Sequence, residues 1–480
     1  MNERPLIITE RVDDIPLLLE QRQRMGLPSL FDDHFPTHGN WQGLSLGWVA
    51  TIWLSAMVSR GDHRLVHVEP WGGNRLWTLR ATTGHAVERL DCPDDRLEIV
   101  RHSLHDDTRW TACASALHQH TVRVYELPTA RVHVDSTSAS GYTTVSENGL
   151  LQCGQSKDSR PDLPPVKVMQ AVLDPLGMRL ATEGVSGERA DDPRYVPGIR
   201  RGQARLGRHG RWYVGDGQMA SRDTRAVLAA QGDVALCPLP AVPLAEGEVE
   251  KAREAVWNGA QALSPVVRER HDGTPELSAE GDDDRGPMRL AVAGALQSWT
   301  ARRVVVRSVR PAQASERALR ARVATALAAV EALHQCGRGK QRCEDVSAFR
   351  QTVGTIVQRY GVEECWWRRY RQHATPRVVR ASRDRPARIE ADRQATVEVR
   401  VDEVALEAAV RRVGWRVYRT NQPREQLSLA QAVLASRRAY LVERSLGRLQ
   451  GRPLSLTPMY VQRAEHATGL MRLLSLALRV

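Results

Sequence analysis

Three acidic residues stand where phosphoryl-transfer chemistry could use them: Asp135 in RVHVDST, Asp216 in RWYVGDG and Glu443 in YLVERSLGRL. Mg²⁺ and Mn²⁺ are hard ions that take oxygen ligands, and Mg²⁺ usually keeps several waters, so a few carboxylates can hold one over a phosphate. Two such ions about 4 Å apart can stabilise both the attacking and the leaving oxygen of an in-line displacement. Each acid alone has a plainer explanation. An Asp after a strand commonly caps a turn, and a Glu on a helix commonly faces solvent. Their order along the chain (strand-Asp, strand-Asp, helix-Glu) is what points to a joint role.

The elements that must position them can be read from periodicity. TVRVYELP and ARVHVDST alternate in the strand manner, so Asp135 closes a strand. LPPVKVMQAVLD and MRLATEGV are two apolar runs joined by Pro175, Leu176 and Gly177, a hairpin signature. ADDPRYVPGIRRGQARL reads as a helix and RWYVGD as a short buried strand ending on Asp216. MASRDTRAVLAAQG then reads as a helix stopped by Gly232, and DVALCPL as a further strand. This order predicts an α/β fold with a mixed sheet rather than a simple alternating wind.

Four segments are expected. Residues 1–125 form a helical domain, with DDIPLLLEQRQRMGL, the apolar run from Leu46 to Val58, DDRLEIVRHSL and TRWTACASALHQH as helices. Residues 126–240 hold both aspartates. Residues 241–410 are an insertion with an acidic, Gly-rich loop (HDGTPELSAEGDDDRG), strands at RRVVVRSVR and ATVEVRVDE, and a long helix at SERALRARVATALAAVEALHQ. Residues 411–480 return to the core through GWRVYRTN. LSLAQAVLASRRAYLVERSLGRLQ then reads as one long helix, which carries Glu443 and stops at Gly451, with another helix from Val461.

The chain of 480 residues is long enough for several cores, and its 42% hydrophobic and 26% charged fractions are those of a soluble globular protein. A net charge of +12 favours polyanionic partners, DNA above all. Nearly all of that charge is Arg, a skew that a G+C-rich genome would also produce. The seven cysteines lack any CxxC pair, and His334, Cys336 and Cys343 match no common zinc spacing, so reduced thiols in a cytoplasmic protein are expected. MNERPLIITERVDD has no apolar core of a signal peptide, and no run is long enough to span a bilayer, so no membrane role is expected.

VDSTSASGY, YVGDGQMAS and YLVERSLGRLQGRPLSL together resemble the three catalytic motifs of bacterial insertion-sequence DDE transposases, in particular family-four insertion sequences. GQSKDSRPDLPPVKVMQAVLDPLG, VSGERADDP and GNWQGLSLGWVATIWLSAMVSRGDHRLVHVEPW are similar to other stretches of that family. The resemblance implies an RNase H-like core interrupted by a mixed or mainly β insertion domain. It also implies two Mg²⁺ (or Mn²⁺) ions held by Asp135, Asp216 and Glu443, with DNA cleavage followed by 3′-OH strand transfer. A homodimer on the terminal inverted repeats and target DNA, in the cytoplasm and nucleoid-associated when bound, belongs to the same implication. The chain departs from the family around the glutamate. Ser436, Ala439 and Gln450 stand where relatives carry Tyr, a polar Arg or Gln, and Lys.

Lys157, Arg160 and Lys167 lie between the two aspartates and are candidates for phosphate contacts, which position DNA without reading its sequence. Arg444, beside Glu443, is another. In the insertion, Trp366, Trp367, Arg368, Arg369, Tyr370 and Arg371 interleave aromatics with guanidiniums, a pattern suited to gripping phosphates and stacking on an unpaired base. Arg377, Arg380, Arg383, Arg385 and Arg388 extend it. Two other readings stay open: a catalytically silent, DNA-binding remnant of a transposase, and a host metal-dependent nuclease without strand transfer.

Overall fold

A computed structural model of the chain describes residues 8–479 apart from 143–144, 146–148, 155–159, 161, 188–194, 240–242, 293–294, 335–344, 382–385, 452–453 and 462. The chain divides into two compact units. The first comprises Met1–Pro240, Asp284–Arg303 and Tyr418–Val480, and the second Ala241–Asp283 and Val304–Val417. The helices of residues 1–125 thus pack in the same unit as both aspartates and Glu443.

That unit opens with α1 (Ile15–Arg24), α2 (Leu27–His34), α3 (Leu46–Arg60), α4 (Val68–Gly73), α5 (Leu76–Thr83), α6 (Asp94–Ser103) and α7 (Asp107–Val124). Helix α3 is apolar all round and is buried along nearly its whole length, as such a helix must be. It crosses α2 so closely that a Cβ on Gly47 would lie 2.0 Å from the Pro28 carbonyl oxygen. Helix α7 runs through Thr121 to Val124, where alternation predicts a strand; the Thr121 hydroxyl bonds back to the Leu117 carbonyl and the turn continues.

The sheet follows: β1 (Arg131–Ser140), β2 (Pro165–Leu173), β3 (Met178–Ser186), α8 (Tyr195–Leu206), β4 (Trp212–Gly215), α9 (Arg222–Ala230) and β5 (Val234–Pro238). Strands β2 and β3 form the expected hairpin, with Gly177 at φ +71° in its turn. Strand order in this part of the sheet is β3-β2-β1-β4-β5, with β1, β4 and β5 parallel and β2 and β3 antiparallel. Val132, Val134, Ala171, Tyr213 and Ala235 face α8 and α9, packing with Tyr195, Ile199 and Leu228.

In the second unit lie α10 (Pro243–Trp257), β6 (Ser264–Glu269), α11 (Val309–Glu331), α12 (Val346–Tyr360), β9 (Trp366–Val379), β10 (Arg388–Val401) and α13 (Glu403–Arg411). Strands β7 (Pro275–Val292) and β8 (Ala295–Ser308) carry residues of both units. The acidic stretch expected as a loop is β7. A tight turn at Asp272 and Gly273 launches it against β6, and cross-strand arginines answer its acids: Arg268 meets Glu276 at 2.6 Å. Strands β9 and β10 pair in unbroken antiparallel register over fourteen residues each.

The chain re-enters the first unit along β11 (Trp415–Thr420), antiparallel to β5. One continuous helix is expected next, but the structure has two, α14 (Leu429–Ser436) and α15 (Tyr440–Gln450), separated by a 3₁₀ turn at Arg437–Ala439. The Ser436 hydroxyl donates to the Val433 carbonyl, and Arg438 turns to pair with Asp174 at 2.6 Å. Helix α16 (Ala464–Ala477) then inserts among α3, α6 and β3. A Cβ on Gly469 would lie 2.1 Å from the Arg101 carbonyl oxygen, so α16 meets α6 nearly backbone to backbone.

Candidate active site

The register of β1 against β4 sets Val134 beside Gly215, so the next residues, Asp135 and Asp216, stand side by side on neighbouring parallel strands. On its other flank Asp135 faces Gln170 of β2, which makes β1 an interior strand with neighbours on both sides. Strand β4 ends at Gly215 because the Asp216 side chain caps a 3₁₀ turn, its Oδ1 accepting from the amides of Gln218 (3.0 Å) and Met219 (3.3 Å). A third donor, the Tyr195 hydroxyl at the start of α8, reaches the same oxygen at 2.6 Å. All three bonds fall on Oδ1 of Asp216. Asp135 accepts at Oδ1 from the Ser136 amide at 2.7 Å.

Tyr195 is completely buried. Burial first, then the negative charges of Asp216 and Asp135, hold its phenol far above the usual tyrosine range. It therefore stays a donor at every pH at which the protein works. Tyr195 was not evident from sequence: twenty-one residues separate it from Asp216, and only the sheet and α8 bring them together. His133, two residues before Asp135 and hence on the same face of β1, is fully buried beside Asp174. Burial outweighs that carboxylate and holds its imidazole below the ordinary range.

Helix α15 lies along β1 and β2 on the face opposite α8. Leu441, Val442 and Leu446 close around Val172, the residue paired with His133. The buried Arg179 clamps the helix by donating to the Ser445 hydroxyl (2.8 Å) and carbonyl (2.6 Å). At the far end Gln450 donates its side-chain amide to the Ser138 carbonyl of β1. Glu443 and Arg444 lie on the exposed side of this helix. Among the described residues, no group of three or more His, Cys, Asp or Glu is arranged to hold a metal ion. The register sets Asp135 next to Asp216, and Glu443 stands on the exposed side of α15.

The phosphate-contact candidates are placed as follows. Lys157 lies outside the described residues. Arg160 is half-exposed, forks onto Asp162 (2.8 and 2.9 Å) and reaches the Tyr142 hydroxyl at 3.3 Å. Lys167, a phosphate-contact candidate by sequence, is buried on β2 between β1 and β3, because β2 is an interior strand covered along its whole length. In the second unit, Trp366 packs in the core formed by α11, α12 and α13. Trp367, one residue on, points to the other face, is 47% exposed and lies under the Arg400 guanidinium. Arg369 and Arg371 are exposed on β9, Arg368 less so, and Arg371 is 3.5 Å from Glu398. Arg377, Arg380 and Arg388 are exposed, while Arg383 and Arg385 lie outside the described residues. Cys336 and Cys343 do too, and His334 accepts the Val397 amide.

One aromatic pair in the first unit has no counterpart in the sequence reading. Where β1 runs out, Gly141 bridges to Met459, and the rings of Tyr142 and Tyr460 stack at 5.1 Å and 17°. Both are well exposed, and Arg160 lies over Tyr142. Their signal is lost in sequence because the two stretches are more than three hundred residues apart.

No family model matches the chain, and no curated protein matches it. Among solved structures, a piggyBac transposase synaptic complex with hairpin DNA aligns at a TM-score of 0.27 and 8% identity. The alignment spans 56% of this chain and 56% of that one, just over half of each. A likeness at that level carries no weight for fold or function. No described helix is long and apolar enough to cross a membrane.

Proposed function

We propose that the chain is a metal-dependent DNA-cleaving and strand-transferring enzyme of the DDE transposase type, acting on DNA ends held by two copies of itself. The observation that carries this reading is the register that sets Asp135, midway along β1, beside Asp216, just past the end of the parallel β4, in a strand order that suits an RNase H-like core. Three short sequence motifs and a basic surface support it.

The donor set suits a hard divalent cation. Asp216 spends only Oδ1 on protein donors, and two carboxylates with waters are enough for Mg²⁺. Bound there, such an ion would acidify an attacking water and stabilise the leaving 3′ oxygen. Tyr195 and the two amides fix the Asp216 carboxylate, which spares the reaction the cost of orienting it. The exposed Tyr142–Tyr460 pair and Arg160 offer a stacking face and a cation at the end of β1, suited to an unpaired base beside a phosphate. Trp367 offers the same in the second unit.

A second reading is a DNA-binding remnant without catalysis. It is favoured by the lack, among the described residues, of any group of three acids arranged to hold a metal, and by Gln450, whose amide is spent on Ser138 rather than open to phosphate. The test is Mg²⁺-dependent nicking of a duplex carrying the inverted repeat that flanks the gene. Cleavage by the parent and none by Asp216→Ala supports the enzyme, whereas equal DNA binding with cleavage by neither supports the remnant.

A further inference from the structure

Thr129 lies two residues before β1 and Arg211 directly before β4, so they mark the entry end of those strands, about 17–20 Å from Asp135 and Asp216 at about 3.3 Å per residue. There the first unit encloses a cavity of about 270 Å³. His118 of α7, Arg205 of α8 and Arg211 form its buried wall, each more than nine-tenths covered. Arg123 and Arg208 stand exposed at the rim, and no acidic residue lines the cavity.

The donors on that wall are only partly used. Arg205 gives one to the Leu180 carbonyl (2.5 Å), and Arg211 gives one group to the carbonyl and hydroxyl of Thr129. Nε of Arg211 and both ring nitrogens of His118 have no partner. Asp233 is turned elsewhere, to the Arg211 backbone amide (2.9 Å) and the Gln203 side chain. Behind the wall, the buried Arg479 adds a further positive charge against His118 and Arg205, its own Nε and one terminal nitrogen unpartnered. Gathering like charges without an acid among them is costly, and a multivalent oxyanion in the cavity would offset that cost. Guanidiniums converging from α7, α8 and β4 suit a tetrahedral anion, which offers oxygens in several directions, better than a flat carboxylate. Burial, reinforced by the surrounding arginines, keeps His118 neutral (pushed down to about 3), able to donate from one nitrogen.

We infer that this cavity binds a phosphate monoester, carried by a free nucleotide or by the 5′ end of a DNA strand. It is separate from the carboxylate pair and does not depend on the function proposed for that pair. The test is calorimetric titration of the full chain in phosphate-free buffer with adenosine 5′-monophosphate, adenosine, and an oligonucleotide with a 5′-phosphate or a 5′-hydroxyl. Both phosphorylated probes, or one of them, should bind at least tenfold more tightly than their unphosphorylated counterparts. Replacing the two exposed rim residues (Arg123→Gln with Arg208→Gln), which leaves the fold intact, should weaken that binding about tenfold or more. Preference for the 5′-phosphorylated strand over the mononucleotide assigns a DNA end; equal binding assigns a free nucleotide. Indifference to the phosphate, or unchanged binding by the double variant, overturns the proposal. Cleavage is not read, so the outcome is independent of whether the carboxylates are active.

Discussion

Asp216 accepts three hydrogen bonds on one oxygen, and the one from Tyr195 comes from a hydroxyl that burial and two neighbouring acids keep protonated. Tyr195→Phe should therefore cost about 1.5–3 kcal/mol in urea unfolding, the range for a hydrogen bond to a charged group. If the proposed chemistry holds, it should also lower cleavage while leaving DNA affinity unchanged. His118 sets a second expectation, in the pH dependence of stability. Its folded value lies near 3 against 6.5 when unfolded, so between those values the unfolded chain binds the extra proton. Its contribution is thus complete above about pH 6.5 and is lost as pH falls toward 3. In His118→Gln the urea midpoint should drop less between pH 7 and pH 4.5 than in the parent. The two aspartates were legible in sequence because each stands in or just after a strand pattern, although β1 runs on five residues past Asp135, where the sequence pattern puts the strand's end, because Ser136–Ser140 keep pairing with β2. Tyr195 and His118 were not, since neither stands in any spacing to its partners and only tertiary packing gives them a role.

At the scale of elements, the local patterns served well where one element has one environment. The β2–β3 hairpin, the apolar α3 and the short β4 follow from their residues. Two misreadings arose where packing overrode the pattern. The acidic stretch became β7 once arginines on neighbouring segments answered its charges, and the long glutamate helix broke at Arg437–Ala439 so that Arg438 could reach Asp174. The Trp pair on β9 shows the same limit: alternation says that one is in and one is out, but not which. The structure buries Trp366 and exposes Trp367. Trp366→Ala should cost about 3–5 kcal/mol in unfolding experiments, the range for emptying a core aromatic site. Trp367→Ala should cost within about 0.5 kcal/mol, as an exposed position does, and should weaken binding to DNA with an unpaired end.

Across the whole molecule, the charge of +12 is the feature most visible from composition, and the structure shows where part of it is spent. Arg22 and Arg179 are buried and serve the fold, while Arg369, Arg377 and Arg380 are exposed on or beside β9. If those three meet phosphates, replacing them with Gln should reduce the slope of log affinity against log salt by about 3, at about 0.9 per phosphate contact. An unchanged slope would remove β9 from the DNA interface. Helix α16 adds a matter of timing. The core around α3 takes in Leu470, Leu473 and Leu474 from a segment made roughly 400 residues later, about 20–80 s at ordinary translation rates. Throughout that interval the nascent chain carries an apolar helix that α1, α2 and α6 cover only in part, with the side that α16 fills left bare. Its yield in the cell should therefore depend on a chaperone that shields residues 46–60 until synthesis reaches α16.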